Sequence, residues 1–257
     1  MPATRSGRSA GLTRNVVSGV HRLEHAYVNC YLVEEGSGIT IVDAAFPSTW
    51  RHLMTALEAI GHQPGDIEAI LLTHGHFDHV GFAARAAQEL SVPVWVHPSD
   101  GQLAAHPYRY ARERTPFGYP FRYPAAIPVL GAMAAAGALT VKGVDAVREL
   151  PASGTVDVPG RPRVVFSPGH TFGHCAFHLQ EQGVLLSGDA LVTLDPYTAT
   201  RGPQIIAGAA TADSPMALES LRALADTDAD AVLPGHGPPW MAGARSAVAQ
   251  AIVAGAS

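Results

Sequence analysis

Apolar runs that end in glycine-rich, polar turns recur along the chain and predict short buried strands. In the first half we expect these strands at 19–22, 27–34, 39–43, 67–72 and 92–96, and in the second half at 163–167, 175–179, 184–187 and 231–233. Apolar residues at helical spacing predict helices at 48–60, 79–90, 215–225 and 239–254. Groups of strands with helices between them favour an α/β protein in which two sheets pack back to back with helices outside.

A segment at 101–140 departs from this pattern. Its first part, 106–124, interleaves tyrosine and phenylalanine with arginine and contains several prolines, and its second part, 127–139, is rich in alanine. We interpret the segment as an insertion of short helices in the fold.

Composition agrees with a single globular domain. The 257 residues are 47% hydrophobic and 15% charged, which is enough to build one large core. Residues 1–14 hold three arginines among small residues, with no apolar stretch behind them. We therefore expect a flexible segment at 1–14 that is not a signal peptide, and a domain at 15–257. No apolar run reaches membrane-spanning length, so we expect a cytoplasmic protein with no membrane partner.

Charge and cysteine content exclude further classes. The net charge is −5, and the arginines are scattered among 22 acidic residues without forming a basic stripe. A nucleic-acid partner is therefore not expected, since binding phosphates needs a basic surface. The two cysteines, Cys30 and Cys175, sit in apolar runs without metal-binding or redox spacing and are expected to be buried thiols.

The densest candidate chemistry is the run His-Gly-His-Phe-Asp-His at 74–79, directly after the apolar residues 70–72. A loop at the end of a strand can direct His74 and His76 towards one metal ion. Asp78 and His79 can then reach a second ion. Imidazole and carboxylate without thiolate suit zinc, iron or manganese.

Three further residues complete a ligand set. His170, Asp189 and His236 each follow an apolar run and lie in a turn that contains glycine. Polar residues on tight turns at strand ends are where sheet folds place their chemistry. Convergence of the four segments would supply seven ligands, five histidines and two aspartates, which is enough for two metal ions with positions open to water.

Four motifs together resemble those of metallo-β-lactamase-fold hydrolases, the superfamily that also contains glyoxalase II, lactonases and sulfur dioxygenases. They are THGHFDH at 73–79, SPGHTFGH at 167–174, SGDA at 187–190 and PGHG at 234–237. The resemblance covers about residues 15–240 and implies a four-layer αββα sandwich of two mixed sheets with outer helices. The motifs are specific for the fold and the metal site and only weakly specific for the substrate.

The resemblance also implies a role for each ligand. The first metal would be held by His74, His76 and His170. The second would be held by Asp78, His79 and His236, and Asp189 would bridge the two. His174 and Asp43 match residues that support the metal site without binding metal, as partners that fix the orientation of metal-bound histidines commonly do.

The resemblance and the ligand set predict hydrolysis. Two close cations, expected to be zinc with iron or manganese as alternatives, lower the pKa of a bridging water, and the resulting hydroxide attacks a carbonyl carbon. Asp78 could orient that water or take its proton. The expected substrate is a small molecule with an ester, thioester or lactone bond.

Other reactions of the superfamily fit less well. The main alternative is a persulfide (sulfur) dioxygenase, which binds one iron through two histidines and one aspartate. β-Lactam hydrolysis is disfavoured because secreted enzymes of that kind need an export signal. A non-catalytic scaffold is disfavoured because all seven ligands are present.

The insertion at 101–140 is interpreted as a lid over the metal site. The alternatives are a contact between two copies of the chain, which would make the protein a homodimer, and a surface excursion that covers core. Under the lid interpretation the candidate substrate contacts are Tyr108, Phe117, Tyr119 and Phe121. Lactonases of the superfamily place a tyrosine three residues beyond the bridging aspartate, where this chain has Val192. Tyr197, further along the same loop, could substitute for it and is a further candidate.

Overall fold

The computed structural model describes residues 10–257, in which a seven-stranded mixed sheet comes first along the chain. Its strands lie side by side in sequence order: β1 (Gly11–Val17), β2 (Val20–His25), β3 (Val28–Glu35), β4 (Gly38–Val42), β5 (Ile67–Leu71), β6 (Val94–Val96) and β7 (Val147–Glu149). Neighbouring strands are antiparallel from β1 through β4 and parallel from β4 through β7.

The second sheet is five-stranded, with the order β14-β11-β10-β9-β8. Its strands are β8 (Gly154–Thr155), β9 (Arg163–Phe166), β10 (Cys175–Leu179), β11 (Val184–Gly188) and β14 (Ala231–Pro234). Strand β14 is parallel to β11, and the other pairs are antiparallel. A separate antiparallel ribbon joins β12 (Val192–Leu194) and β13 (Arg201–Gln204).

The helices occupy the connections. They are α1 (Trp50–Ile60), α2 (Phe77–Val80), α3 (Ala83–Leu90), α4 (Gly101–Ala105), α5 (Tyr119–Arg122), α6 (Ile127–Ala135), α7 (Ser214–Ala225) and α8 (Ala244–Ala254). Helix α7 begins where the Asp213 side chain accepts a hydrogen bond from the backbone N–H of Met216, as capping aspartates do. No helix in the described residues is long and apolar enough to cross a membrane.

Three apolar layers separate four layers of secondary structure. The first joins the seven-stranded sheet to α1 and α3 and includes Ile41 and Leu57. The second lies between the two sheets, where Leu71 and Phe177 are fully buried. The third joins the five-stranded sheet to α7 and α8. The alternation of inward and outward faces along the strands thus produces the predicted αββα sandwich, which is confirmed.

Two predicted helices differ from the observed ones. The helix expected at 79–90 is divided into α2 and α3, because the backbone at the break bonds to Ala44 instead: the carbonyl of His79 accepts from the N–H of Ala44, and the N–H of Phe82 donates to the carbonyl of Ala44. The helix expected at 239–254 begins only at Ala244. Before it, Trp240 exchanges two backbone hydrogen bonds of 2.8 Å with Val232 and extends the edge of the second sheet.

The boundary predicted at residue 15 also changes. Residues 11–14, which we expected in a flexible segment, belong to β1, and Leu12 pairs with Leu23 of β2. The remainder of that segment, 1–9, lies outside the described residues. Cys30 and Cys175 are buried free thiols, as predicted.

The insertion connects β6 to β7 and consists mainly of short helices and turns, as expected. The Tyr108 hydroxyl donates to the carbonyl of Ala138 at 2.9 Å and accepts from the N–H of Val141 at 2.8 Å, which joins the two ends of the insertion. The Glu113 carboxylate accepts hydrogen bonds from the backbone and the hydroxyl of Ser214, at 2.6 and 2.7 Å. The insertion is thereby anchored to the second half of the fold.

Candidate metal centre

The seven candidate ligands come from connections that leave both sheets. His74, His76, Asp78 and His79 follow β5 in the first sheet, while His170 lies in the β9–β10 connection of the second. Asp189 and His236 follow β11 and β14, which are parallel neighbours and therefore end at the same edge. All seven are buried.

The structure brings these side chains into three groups whose ligand atoms lie within 4.8 Å of one another. The groups are His74, His76 and His170; His74, His79 and Asp189; and Asp78, His79 and His236. Two histidines are each shared by two groups, so the three groups form one continuous cluster. The grouping matches the two ligand sets expected from the sequence, with Asp189 between them.

Several polar atoms of the cluster have no hydrogen-bond partner within residues 10–257. They are Nε2 of His74, His76, His79 and His236, and Oδ1 of Asp189. An unpartnered buried polar atom costs about 1–3 kcal/mol, so native proteins rarely leave several together. Imidazole nitrogens and carboxylate oxygens in this number fit a divalent cation such as zinc, iron or manganese.

Outer partners hold the rings in the tautomer that a metal needs. His79 donates from Nδ1 to Asp43 at 2.9 Å. The Thr73 hydroxyl also donates to Asp43, and it lies 3.0 Å from Nδ1 of His74, from which it can therefore accept. With the proton on Nδ1, the lone pair of each ring is on Nε2 and faces the cluster. Asp43 occupies the supporting position expected for it, with a left-handed φ of 64° at the end of β4.

The other two outer contacts come from distant segments. His236 donates from Nδ1 to the carbonyl of Tyr27 at 2.9 Å, and Nδ1 of His170 lies 3.3 Å from the Thr211 hydroxyl. Neither partner was predicted. A backbone carbonyl carries no signal of this role in a sequence, and Thr211 is brought close only by the fold.

His174 supports the cluster through the backbone. Its Nε2 accepts the N–H groups of Asp189 and Ala190 at 3.1 and 3.2 Å, and its Nδ1 lies 2.9 Å from the hydroxyl of Ser167. Both ring nitrogens are engaged, so the side chain has none left for a metal. It fixes the turn that presents Asp189, which is the kind of supporting role expected for it.

Charge within the cluster is distributed unevenly. Burial lowers the pKa of His76 and of His170 to about 3, so both rings are neutral. Burial also lowers the pKa of His236, but the carboxylates of Asp189 and Asp78 have the larger effect and raise this pKa to about 10. Burial alone would raise the pKa of Asp189, and His236 and His79 instead hold it well below its usual range. Asp189 is therefore a carboxylate that attracts cations.

The ligands can lie this close together only because residue 235 is a glycine. A Cβ atom at this position would collide with Oδ1 of Asp189 and lie 2.8 Å from Cε1 of His79. Only glycine allows the backbone before His236 to pass this close to the other ligands.

Asp100 is a site residue that sequence reasoning missed. It is 2% exposed, and its carboxylate accepts hydrogen bonds from the N–H of Gly75, the hydroxyl of Thr171 and the N–H of Gly173. Burial raises its pKa against the effect of these donors. Its signal in the sequence is weak: it follows the apolar run 94–96, as the ligands follow theirs, but it lies outside the four motifs.

The insertion reaches the cluster through two tyrosines. The ring of Tyr110 lies 4.3 Å from that of His76, and the ring of Tyr108 stacks on Phe77 at 5.6 Å. Tyr119 contacts Tyr197 with ring centres 6.1 Å apart. Tyr110 was not among the predicted substrate contacts, although it belongs to the same aromatic run.

The other two predicted contacts of the insertion lie elsewhere. Phe117 and Phe121 are 80% and 91% exposed and, in the described part of the chain, make no ring contact with the centre. The prediction that they line the site is therefore wrong for this structure. Phe121 lies on α5, which buries Tyr119 instead, and Phe117 lies on the turn Pro116–Gly118, none of whose residues is buried.

A cavity of about 350 Å³ lies beside Tyr110, whose ring contacts His76, and none of the seven candidate ligands lines it. Residues of the insertion form one wall, and Thr171, the neighbour of His170, and Phe172 form another. The lining includes Leu103, His106 and Arg109. The cavity is mostly apolar with a few polar groups, which is typical of sites for small molecules.

Known proteins show the same architecture. A Bacillus subtilis protein named probable metallo-hydrolase YflN is 27% identical over 251 residues, covering 93% of this chain and 90% of its own length. The crystal structure of the metallo-beta-lactamase family protein TTHA1429 from Thermus thermophilus superposes with a TM-score of 0.64 and 27% identity, covering 90% of this chain and 77% of that one.

A second solved structure, TTHA1623 in a di-iron-bound form, has a TM-score of 0.59 and 30% identity, covering 83% of this chain and 89% of that one. The family model described as the metallo-beta-lactamase superfamily matches residues 24–236, a span that contains the cluster from His74 to His236. With this match over most of its length, the chain belongs to the metallo-beta-lactamase superfamily.

Proposed function

We propose that this protein is a binuclear metal-dependent hydrolase that cleaves an ester, thioester or lactone bond of a small molecule. The observation that carries the proposal is the convergence of seven buried ligand side chains in three overlapping groups. One metal would use His74, His76 and His170, a second Asp78, His79 and His236, and Asp189 would serve both.

When bound, two close divalent cations supply an activated water and a Lewis acid for the carbonyl oxygen. The side chains around the metal ions position the reacting water molecule. Asp78 is the most exposed of the seven ligands, at 6%, whereas Asp189 is 2% exposed. Asp78 is therefore best placed to orient an attacking water from the open side and to take its proton.

Tyr110 and Tyr197 contribute hydroxyl groups close to the metal ligands His76 and Asp78. Burial, together with the nearby hydroxyl of Tyr110 and the charge of Asp78, raises the pKa of Tyr197 well above its ordinary value. The Tyr197 phenol therefore stays protonated at neutral pH. It can donate a hydrogen bond to a substrate oxygen, which favours a carbonyl compound as the substrate.

The experiment is metal analysis of protein purified without added metal, together with a panel of esters, thioesters, lactones and persulfides. We expect two metal ions per chain, with zinc favoured, and hydrolysis of at least one acyl class. His236→Ala should lower the content towards one ion, and Asp189→Ala should lose metal and activity together.

A persulfide dioxygenase is the alternative outcome. That reaction uses one iron, so it leaves the group Asp78, His79 and His236 without a function. Iron itself would not decide between the two, because TTHA1623 is known in a di-iron-bound form. One iron per chain with persulfide-dependent oxygen uptake would overturn the hydrolase proposal.

A further inference from the structure

We infer that Asp100 is the positioning residue of the first metal position, because its carboxylate clasps together the two loops that carry His74, His76 and His170. The inference rests on the proposed function in one respect: it assumes that these three histidines bind a metal. It assigns a specific role to a residue that binds neither metal nor substrate.

The contacts of Asp100 are distributed over both loops. Its Oδ2 accepts from the N–H of Gly75 at 3.0 Å, and Gly75 lies between His74 and His76. The same oxygen accepts from the hydroxyl of Thr171 at 2.7 Å. Its Oδ1 accepts from the N–H of Gly173 at 2.8 Å. One side chain thus connects the loop that follows β5 of the first sheet to the loop between β9 and β10 of the second.

Asp100 itself belongs to neither loop. It lies in the turn between β6 and α4, which is part of the first sheet's framework. The approach at Gly173 is close: a Cβ atom there would lie 2.6 Å from Oδ1 of Asp100. The carboxylate therefore sets the distance between the loops with little freedom.

Only a carboxylate can satisfy this arrangement. All three partners are donors, and two of them are backbone N–H groups that cannot become acceptors. An asparagine has the same shape but only one accepting oxygen. In either orientation its NH₂ would face a backbone N–H, of Gly75 or of Gly173, and repel it. Asp100→Asn therefore breaks the hydrogen-bonded link between the two loops without changing the side-chain volume.

The loops have a second connection that Asp100 does not touch. The N–H of Cys175 donates to the carbonyl of Thr73 at 2.8 Å. This bond and the apolar layer between the sheets should keep the fold intact in the variant. The spacing between His170 and the His74–His76 pair is what should change.

The test is cobalt titration of metal-free wild-type and Asp100→Asn protein, followed by the visible spectrum of bound Co²⁺ and by competition with a chelator. We expect one of the two equivalents to bind about 10- to 100-fold more weakly in the variant, as loss of a partner behind metal ligands typically causes. The band of the other equivalent, at Asp78, His79 and His236, should be retained.

Asp195→Asn is the matched control. Asp195 is fully buried, and its two oxygens accept from the N–H groups of Tyr197 and Ala207 at 2.8 and 3.1 Å. An asparagine at this position also turns its NH₂ group towards a backbone N–H, so we expect it to destabilise the fold about as much as Asp100→Asn does. The partners of Asp195, however, lie outside the loops that carry the ligands. We expect Asp195→Asn protein to bind both cobalt equivalents with wild-type affinity.

Unchanged binding of both equivalents by Asp100→Asn protein overturns the inference, and so does equal weakening in the Asp195→Asn control. If Asp100→Asn protein does not fold, Thr171→Val removes one of the three donors at similar volume and should still weaken the same equivalent. Its failure to do so overturns the inference too. Wild-type protein that binds two cobalt ions but hydrolyses no acyl compound would overturn only the proposed reaction.

Discussion

At the scale of single residues, the centre depends on close approach as much as on ligand identity. Its ligands come from separate loops that pass so close to one another that some positions between the ligands have no room for a side chain. Gly235 is the clearest case, because its missing side chain leaves room for Asp189 and His79.

We expect Gly235→Ala to weaken metal binding about 10- to 100-fold, because the added methyl group displaces the carboxylate of Asp189. Metal content after gel filtration measures the effect, and circular dichroism checks the fold. Gly65→Ala is the matched control, since a Cβ at Gly65 meets no atom within 4 Å and its φ is not positive. Equal metal content in the two variants would contradict this account of Gly235.

A buried histidine away from the centre makes stability depend on pH. Nδ1 of His25 lies 2.8 Å from the Thr49 hydroxyl, and its ring lies 4.7 Å from that of His52. Burial, with His52 and Arg51 as neighbouring bases, lowers the pKa of His25 to about 4. Between pH 6.5 and about 4 the unfolded chain therefore binds a proton that the folded chain excludes, so the stability from this residue is lost as the pH falls through that window.

The measurement is the free energy of unfolding at pH 7 and pH 5. We expect His25→Gln, which keeps a hydrogen-bonding side chain without a titrating ring, to show a smaller decrease than the wild type. The same substitution at the more exposed His106 should leave the decrease unchanged. A decrease of equal size in wild-type and His25→Gln protein would show that His25 does not contribute.

At the scale of elements, the insertion between β6 and β7 has an inner and an outer side. Tyr108 and Tyr110 face the loop that carries His76, and Tyr119 packs against Tyr197. Phe117 and Phe121 face solvent. If the insertion is a lid, its inner side should select the substrate and its outer side should not matter for kinetics.

We expect Tyr110→Ala to raise KM for a bulky apolar ester or lactone by about tenfold, because a wall of the cavity is lost. The rate with p-nitrophenyl acetate and the metal content should change little. Phe121→Ala is the matched control and should leave both KM values unchanged. If Phe121→Ala instead converts a dimer into a monomer on a sizing column, while Tyr110→Ala leaves KM unchanged, the insertion is a dimer contact and not a lid.

At the scale of the whole molecule, the cluster joins the two sheets. His74 and His79 extend from the first sheet, and Asp189 and His236 from the second. A cation held between them stabilises the packing of one sheet on the other, because it binds the folded chain and has no preformed site in the unfolded one.

Metal removal should therefore lower the melting temperature. At a free metal concentration of about 100 Kd the stabilisation is about 2.7 kcal/mol, which corresponds to a decrease of about 5–10 °C on removal for a chain of this size. Thermal unfolding with and without chelator measures it. Asp189→Ala protein should show little response to chelator, and an equally large response there would mean that the stabilising ion lies elsewhere.

Much of the architecture and of the ligand set was predictable from the sequence by itself. The motif at 74–79 and the turns at His170, Asp189 and His236 are local patterns in which glycine and polar residues follow an apolar run. Apolar periodicity is equally local, so most strands and the two outer helix layers could be located without coordinates. The structure brings all seven predicted ligands together, and the family match supports the fold.

Only the tertiary structure decided the features that depend on distant segments meeting. Asp100 became a site residue because its turn lies between two ligand loops. Tyr110 faces His76 while Phe121, in the same aromatic run, faces solvent. Strand β1 and the extended segment at Trp240 exist because a neighbouring strand offers free backbone groups to pair with. Such choices depend on long-range packing and hydrogen bonding, which local residue patterns do not encode.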